Sequence, residues 1–199
     1  MTFTLASIFN VGRMTSTTAR RAVIIHGYSA TPQDHWFGWL AEELGTRGIT
    51  TAVPAMPTPE APEPGPWLRT AGDAIGVPDE QTTVVAHSLG CLTVLRYLAA
   101  LRTPWRLGAL VLVAGFVDPC PTLPNLDDYI SGGCPVNGLA ERIDRLRLLR
   151  SDADDYVPIQ HTDRLAASLD TTTVVVPGAG HFLGSDGVTT LPQVLDVLI

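Results

Sequence analysis

Ser88 sits in Ala86-His87-Ser88-Leu89-Gly90, between an apolar β-branched run at Thr82–Val85 and a stretch carrying Leu92, Leu95, Leu98 and Ala99. A serine at such a strand-to-helix turn projects its hydroxyl above a sheet, and the turn needs small residues two before and two after it. Gly90 meets that need, and Ala86 meets it less well than a glycine would. A helix starting behind Ser88 brings unpaired N–H groups and the positive end of its dipole, which stabilise negative charge. The same five residues also fit an ordinary serine N-cap, so nucleophilic chemistry requires a base elsewhere in the chain.

His181 is the histidine placed to be that base. It lies in Val176-Pro177-Gly178-Ala179-Gly180-His181-Phe182, after the last β-branched run, where the glycines let a loop fold back over a sheet edge. His35 and His161 stand at helix starts, where exposure to solvent is expected. His26 and His87 flank glycine or serine turns and should orient backbone. A base of this kind needs a carboxylate to fix its tautomer and stabilise the imidazolium. Ser151-Asp152-Ala153-Asp154-Asp155-Tyr156-Val157-Pro158 follows another apolar run and offers three carboxylates, of which Asp154 is the expected partner.

Acyl transfer also needs donors aimed at the developing oxyanion. The backbone N–H of Leu89 is one candidate. In His26-Gly27-Tyr28, Gly27 permits a sharp turn that presents the N–H of Tyr28 as the other. His26, Gly27, His87 and Gly90 are thus read as supports of the two turns. The order Ser88, Asp154, His181 is that of the α/β hydrolases, not of chymotrypsin or subtilisin.

The elements that must position these residues alternate in type. Apolar runs at Ala22–Ile25, Thr50–Val53, Thr82–Ala86, Ala109–Ala114, Arg147–Arg150 and Thr172–Val176 read as strands buried on both faces of a parallel sheet. Helical spacing recurs at Trp36–Arg47, Trp67–Ile75, Leu89–Leu101, Leu139–Leu146, His161–Ser168 and from Thr190 onward. Strand alternating with helix predicts a three-layer α/β fold with a mostly parallel sheet of about six strands. Pro54–Pro66 holds six prolines in thirteen residues, which excludes helix and central strand and predicts an extended loop on the carboxyl edge. Phe116–Asn137, rich in Pro, Gly and Asp, is long for a connection and reads as a small lid or a disordered loop.

Composition narrows the chemistry. The 199 residues are 45% hydrophobic, enough to fill one core, and their net charge of −7 argues against a nucleic-acid partner. All 13 basic residues are arginine, so Schiff-base, pyridoxal and phosphate-loop lysine chemistry is excluded. No apolar run approaches the ~18 residues of a membrane span. Cys91, Cys120 and Cys134 form no metal-ligand spacing; an odd count in a cysteine-poor chain favours free thiols and a cytoplasmic location over a Cys120–Cys134 bridge. Residues 1–20 read as a disordered extension, with Met14 a natural start, and 21–199 as a single domain.

The chain resembles the small α/β hydrolases of the retinoblastoma-binding protein 9 type. The resemblance rests on His26-Gly27-Tyr28, Trp36…Trp39-Leu40, Met56-Pro57, Trp67, His87-Ser88-Leu89-Gly90, Asp154…Val157-Pro158 and Gly180-His181-Phe182, in that order. It implies an α/β-hydrolase fold with little or no cap, a Ser-Asp-His triad, no cofactor, and small esters or related acyl compounds as substrates. In hydrolases that the 151–158 loop resembles, the acid lies four residues before the proline, which selects Asp154 over Asp155 and Asp152. Two other readings remain beside it. One is a non-catalytic protein- or ligand-binding member of the same fold. The other is thiol chemistry at Cys91, against which its place one turn into a helix argues.

Overall fold

The computed structural model describes residues 19–198. The expected 1–20 extension therefore lies almost wholly outside the described residues. Six strands form one sheet: β1 (Arg21–Ile25), β2 (Thr50–Ala52), β3 (Thr82–His87), β4 (Ala109–Val113), β5 (Leu146–Ser151) and β6 (Thr173–Val176). They lie in the order β2-β1-β3-β4-β5-β6, and every pairing is parallel. This is the three-layer arrangement expected from the alternating pattern.

Side chains alternate across a strand, so the four inner strands β1, β3, β4 and β5 feed two cores. β2 and β6, expected to be buried on both faces, instead lie at the sheet edges and hold no buried residue. Val23, Ile25, Val84, Ala86, Leu110, Leu112 and Leu148 face one side, packed with α2 (Pro64–Ile75), α3 (Leu89–Ala100) and α5 (Ile159–Ser168). Ala22, Ile24, Val85, Val111, Val113 and Leu149 face the other, against α1 (Phe37–Gly45) and α6 (Pro192–Leu198). Covering both faces is why the strand sequences are continuous apolar runs instead of alternating ones.

Two segments depart from expectation. Pro64 and Pro66 lie within the first turn of α2, so the proline-rich run ends inside a helix. The first-turn N–H groups have no intrahelical partner, and proline loses nothing there. The Leu139–Leu146 helix does not form beyond a single 3₁₀ turn at Ala140–Arg142. Ile143 instead bridges to Leu107 in parallel, with the Leu107 N–H donating to the Arg142 carbonyl at 2.9 Å and the Asp144 N–H to the Leu107 carbonyl at 2.9 Å. Leu139, Ile143 and Leu146 are still buried, so tertiary pairing satisfied the apolar spacing that had suggested a helix.

Residues 116–137 are an ordered excursion, not a disordered loop. They carry the 3₁₀ turn Pro124–Leu126 and the short helix α4 (Asp127–Ile130), with Leu126, Tyr129 and Ile130 buried. The Arg96 guanidinium, from α3, donates to the carbonyls of Tyr129, Ile130, Ser131 and Gly133. A cation at the carboxyl end of α4 also suits its dipole. Asp118 ties the start of the excursion to α5, accepting from Arg164 and from His161 Nδ1 at 3.0 Å.

Candidate active site

Ser88 joins β3 to α3 with φ 52° and ψ −123°, a backbone region that side chains other than glycine rarely occupy. The turn is also crowded. A Cβ on Gly90 would stand 2.6 Å from the His26 carbonyl and 2.7 Å from that of Ile25, so no larger residue fits against β1. A Cβ on Gly27 would stand 2.9 Å from Ser88 Cβ. Gly27 and Gly90 are therefore what let the His26–Tyr28 turn and the Ser88 turn touch. Ala86, at 0% exposure, fits at the position where a glycine was the smaller choice.

Ser88, Asp154 and His181 follow β3, β5 and β6, so the parallel sheet brings all three to one carboxyl edge. The Ser88 hydroxyl reaches His181 Nε2 at 2.9 Å. His181 Nδ1 lies 2.8 Å from Asp154 Oδ2 and 3.0 Å from Oδ1. The His181 and Asp154 side chains are 8% and 3% exposed, so their pairing is shielded from water. Asp154 Oδ1 also accepts the N–H groups of Tyr156 at 2.9 Å and Val157 at 2.8 Å, which aims the carboxylate. Asp155 is exposed, and Asp152 Oδ1 instead accepts the Gly178 N–H at 2.7 Å. Of the three carboxylates, Asp154 is the one hydrogen-bonded to the His181 imidazole.

The supporting histidines have specific partners. The Met56 N–H donates to His26 Nε2 at 3.0 Å, so Nε2 is unprotonated and Nδ1–H donates to the Gly27 carbonyl at 2.9 Å. Burial lowers the His26 pKa below 6.5, in keeping with this neutral tautomer. The Ser29 N–H donates to Pro59 O at 2.9 Å and the Trp67 indole to Pro57 O at 2.7 Å. The proline-rich loop is thereby a buttress for the Gly27-Tyr28 turn. Leu89 opens α3, so its N–H has no intrahelical acceptor, and Tyr28 lines the cavity beside Ser88.

That cavity, of about 310 Å³, is lined by Tyr28, Ser29, His35, Ser88, Leu123, Leu126, Tyr156, His181 and Leu183. Among the described residues its mixed lining includes no arginine and no carboxylate. Leu123 and Leu126 come from the 116–137 excursion, which is a wall of the site. Among the described residues no group of three or more His, Cys, Asp or Glu could hold a metal ion. All three cysteines are free thiols, and burial pushes the pKa of the Cys91 thiol far up, which removes it as a nucleophile.

Several participants were not visible in the sequence. Asp186 Oδ2 accepts the N–H groups of His181 at 2.8 Å and Leu183 at 3.1 Å, and a Cβ on Gly180 would stand 2.5 Å from it. Gly180, at φ 53°, is the one sequence signal that something packs closely there. Tyr156 lies over His181 at 5.2 Å between ring centroids. His35 and His161, expected in solvent, are respectively half-buried in the cavity lining and 6% exposed. Packing of the cavity wall and of α5 overrides the exposure typical of helix starts.

Residues 22–199 match the serine hydrolase family. The chain is 37% identical to YdeN of Bacillus subtilis (strain 168), named as a hydrolase, over 90% of this chain and 94% of that one. The crystal structure of the ydeN gene product superposes with a TM-score of 0.86. Two more distant structures share the fold. Est1E of Butyrivibrio proteoclasticus matches at TM-score 0.65 and 16% identity, covering 90% of this chain and 88% of its own. Mouse alpha/beta hydrolase domain-containing protein 10 matches at TM-score 0.64 and 15% identity, with 92% of each chain covered. The chain belongs to the serine hydrolase family and has the α/β-hydrolase fold.

Proposed function

We propose that this serine hydrolase cleaves small carboxylic esters, or related acyl substrates, through a Ser88–His181–Asp154 triad. The observation that carries the reading is the unbroken chain of hydrogen bonds from Asp154 through His181 to Ser88, opening on a 310 Å³ cavity.

In this mechanism His181 Nε2 takes the Ser88 proton as Oγ attacks the substrate carbonyl. The N–H groups of Leu89 and Tyr28 receive the oxyanion, each such donor contributing about 3–4 kcal/mol in a well-studied case. His181 then returns the proton to the departing alcohol. Water, activated by the same imidazole, attacks the acyl-enzyme and frees Ser88. Asp154 keeps the Nδ1 proton in place and stabilises the imidazolium, without itself taking the proton. The strained Ser88 backbone, worth of order 1–3 kcal/mol, supports catalysis over a purely binding role, because a scaffold gains nothing from it.

Within the family, the His26-Gly27-Tyr28 and His87-Ser88-Leu89-Gly90 motifs support a place among the retinoblastoma-binding protein 9 type. The three free thiols and the acidic charge support a cytoplasmic enzyme without a nucleic-acid partner. Among the described residues no helix is long and apolar enough to cross a membrane. The test is turnover of p-nitrophenyl esters of two to eight acyl carbons together with a fluorophosphonate label mapped by peptide mass. Label on Ser88 and turnover weighted to the short esters are expected. Label elsewhere, or no turnover, rejects the reading.

A further inference from the structure

His35 immediately precedes Trp36 and α1 with φ 57°, a left-handed conformation that is uncommon for a residue other than glycine. Asp34 closes the turn before it, accepting from the Thr31 N–H at 2.6 Å and the Thr31 hydroxyl at 2.9 Å. The imidazole packs edge-on against Phe37 and His87, with centroids 5.3 and 5.7 Å away. The Gly184 N–H donates to His35 Nδ1 at 2.9 Å. A ring nitrogen that accepts carries no proton, so the neutral ring holds its proton on Nε2. Burial lowers the His35 pKa below 6.5, which keeps this tautomer at neutral pH.

Among the described residues Nε2–H has no acceptor, yet it is not one of the polar atoms sealed in the interior, as the Trp36 indole N–H is. The residue lines the same cavity as Ser88 and His181. A neutral N–H donor without an acceptor thus belongs to a residue that lines the Ser88–His181 cavity. A neutral donor, in a cavity lined by no arginine among the described residues, suits a neutral oxygen better than a carboxylate or phosphate.

The chemistry indicates which part of the substrate it meets. His181 returns a proton to the departing alcohol, so the alcohol leaves on the His181 flank of Ser88. His35 belongs to that flank, being tied to Gly184 just after His181 and Leu183. Leu123 and Leu126 belong to the other segment of the wall.

We propose that His35 Nε2–H binds the alcohol portion of the substrate, and that the enzyme prefers esters whose alcohol carries a second, neutral oxygen near the scissile one. This rests on the serine-hydrolase mechanism above.

Butyl butyrate and 2-methoxyethyl butyrate differ by one CH₂ replaced by oxygen on the alcohol side; butyl methoxyacetate makes that replacement on the acyl side. kcat/KM for each is normalised to its hydroxide-catalysed rate. The wild type is expected to favour 2-methoxyethyl butyrate by about three- to tenfold, the range of one net hydrogen bond. His35→Phe abolishes the preference. His35→Gln places an amide N–H near Nε2 and retains it, whereas His35→Asn can replace only the Nδ1 acceptor and loses it. If His35→Phe does not fold, the wild-type ratios and the Gln–Asn pair decide. A preference for butyl methoxyacetate, a ratio near one in a protein that labels with fluorophosphonate, or retention by Asn but not Gln overturns the subsite alone. A protein that neither labels nor hydrolyses these esters overturns the mechanism and the subsite together.

Discussion

The His87 imidazole donates a hydrogen bond from Nε2 to the main-chain carbonyl of His181 at 2.8 Å. His87 ends the strand that delivers Ser88, so that strand also grips the loop carrying His181. From the other side Asp186 takes the His181 N–H. Held at both its N–H and its C=O, His181 has little freedom to leave Ser88.

This grip makes stability sensitive to acid. Burial, then the nearby His181, holds the His87 pKa well below 6.5. The unfolded chain binds a proton near 6.5 and the folded protein resists it, so stability declines as pH falls below about 6.5. Burial lowers the pKa values of His26 and His35 as well, in the same direction. The melting temperature should therefore drop between pH 7 and pH 5. His87→Gln, which keeps a donor for the His181 carbonyl, should show a shallower acid-side decline. Equal slopes in the two proteins would count against buried, neutral His87.

Asp186 is expected to act as a positioning residue. Asp186→Ala leaves the N–H groups of His181 and Leu183 without their carboxylate, a loss of about 1.5–3 kcal/mol in stability. It should lower kcat by roughly tenfold or more and change KM less. The loop that aims His181 loosens, while the Tyr28, Leu123 and Leu126 side of the cavity is untouched. Asp186→Asn keeps an acceptor oxygen and should restore most of kcat. A purely structural role would lower the melting temperature in both variants and leave kcat alone.

At Ser88, the proposed nucleophile, two substitutions separate strain from chemistry. Ser88→Ala and Ser88→Gly both remove the hydroxyl and should abolish turnover and fluorophosphonate labelling. Only glycine relieves a φ of 52°. Ser88→Gly should therefore be more stable than Ser88→Ala by about 1 kcal/mol in chemical denaturation. The reverse order would mean that the turn stores no strain.

For the acid, Asp154→Asn should lower kcat by about three to four orders of magnitude through the wrong imidazole tautomer. Asp155→Asn changes only an exposed charge and should cost less than about tenfold. Measuring both on one ester checks the assignment, which fails if the ranking is reversed.

Much of this site could be read from the chain because its signals are local. A β-branched run, a serine and a glycine place Ser88; a run ending in Pro-Gly-Ala-Gly places His181. The choice among Asp152, Asp154 and Asp155 needed a resemblance, since the geometry depends on which carboxylate meets the Tyr156 and Val157 N–H groups. His35 was misread because its partner, Gly184, lies 149 residues away. Ile143 was misread as helical because its strand-like pairing is with Leu107, from another part of the sequence. Contacts between distant segments leave no periodicity to follow.

The two banks of the cavity differ in how freely they can be altered. Where Gly27 meets Ser88 and Gly90 meets β1, a single methyl group would collide with main chain or with the Ser88 side chain. Across from them, Leu123 and Leu126 hang on an excursion whose shape is set from below by Arg96. New substrate ranges are therefore reached by exchanging side chains on one replaceable segment, while the reaction centre stays fixed. Directed evolution of this enzyme should accumulate its productive changes between residues 116 and 137 and find almost none at 27 or 90.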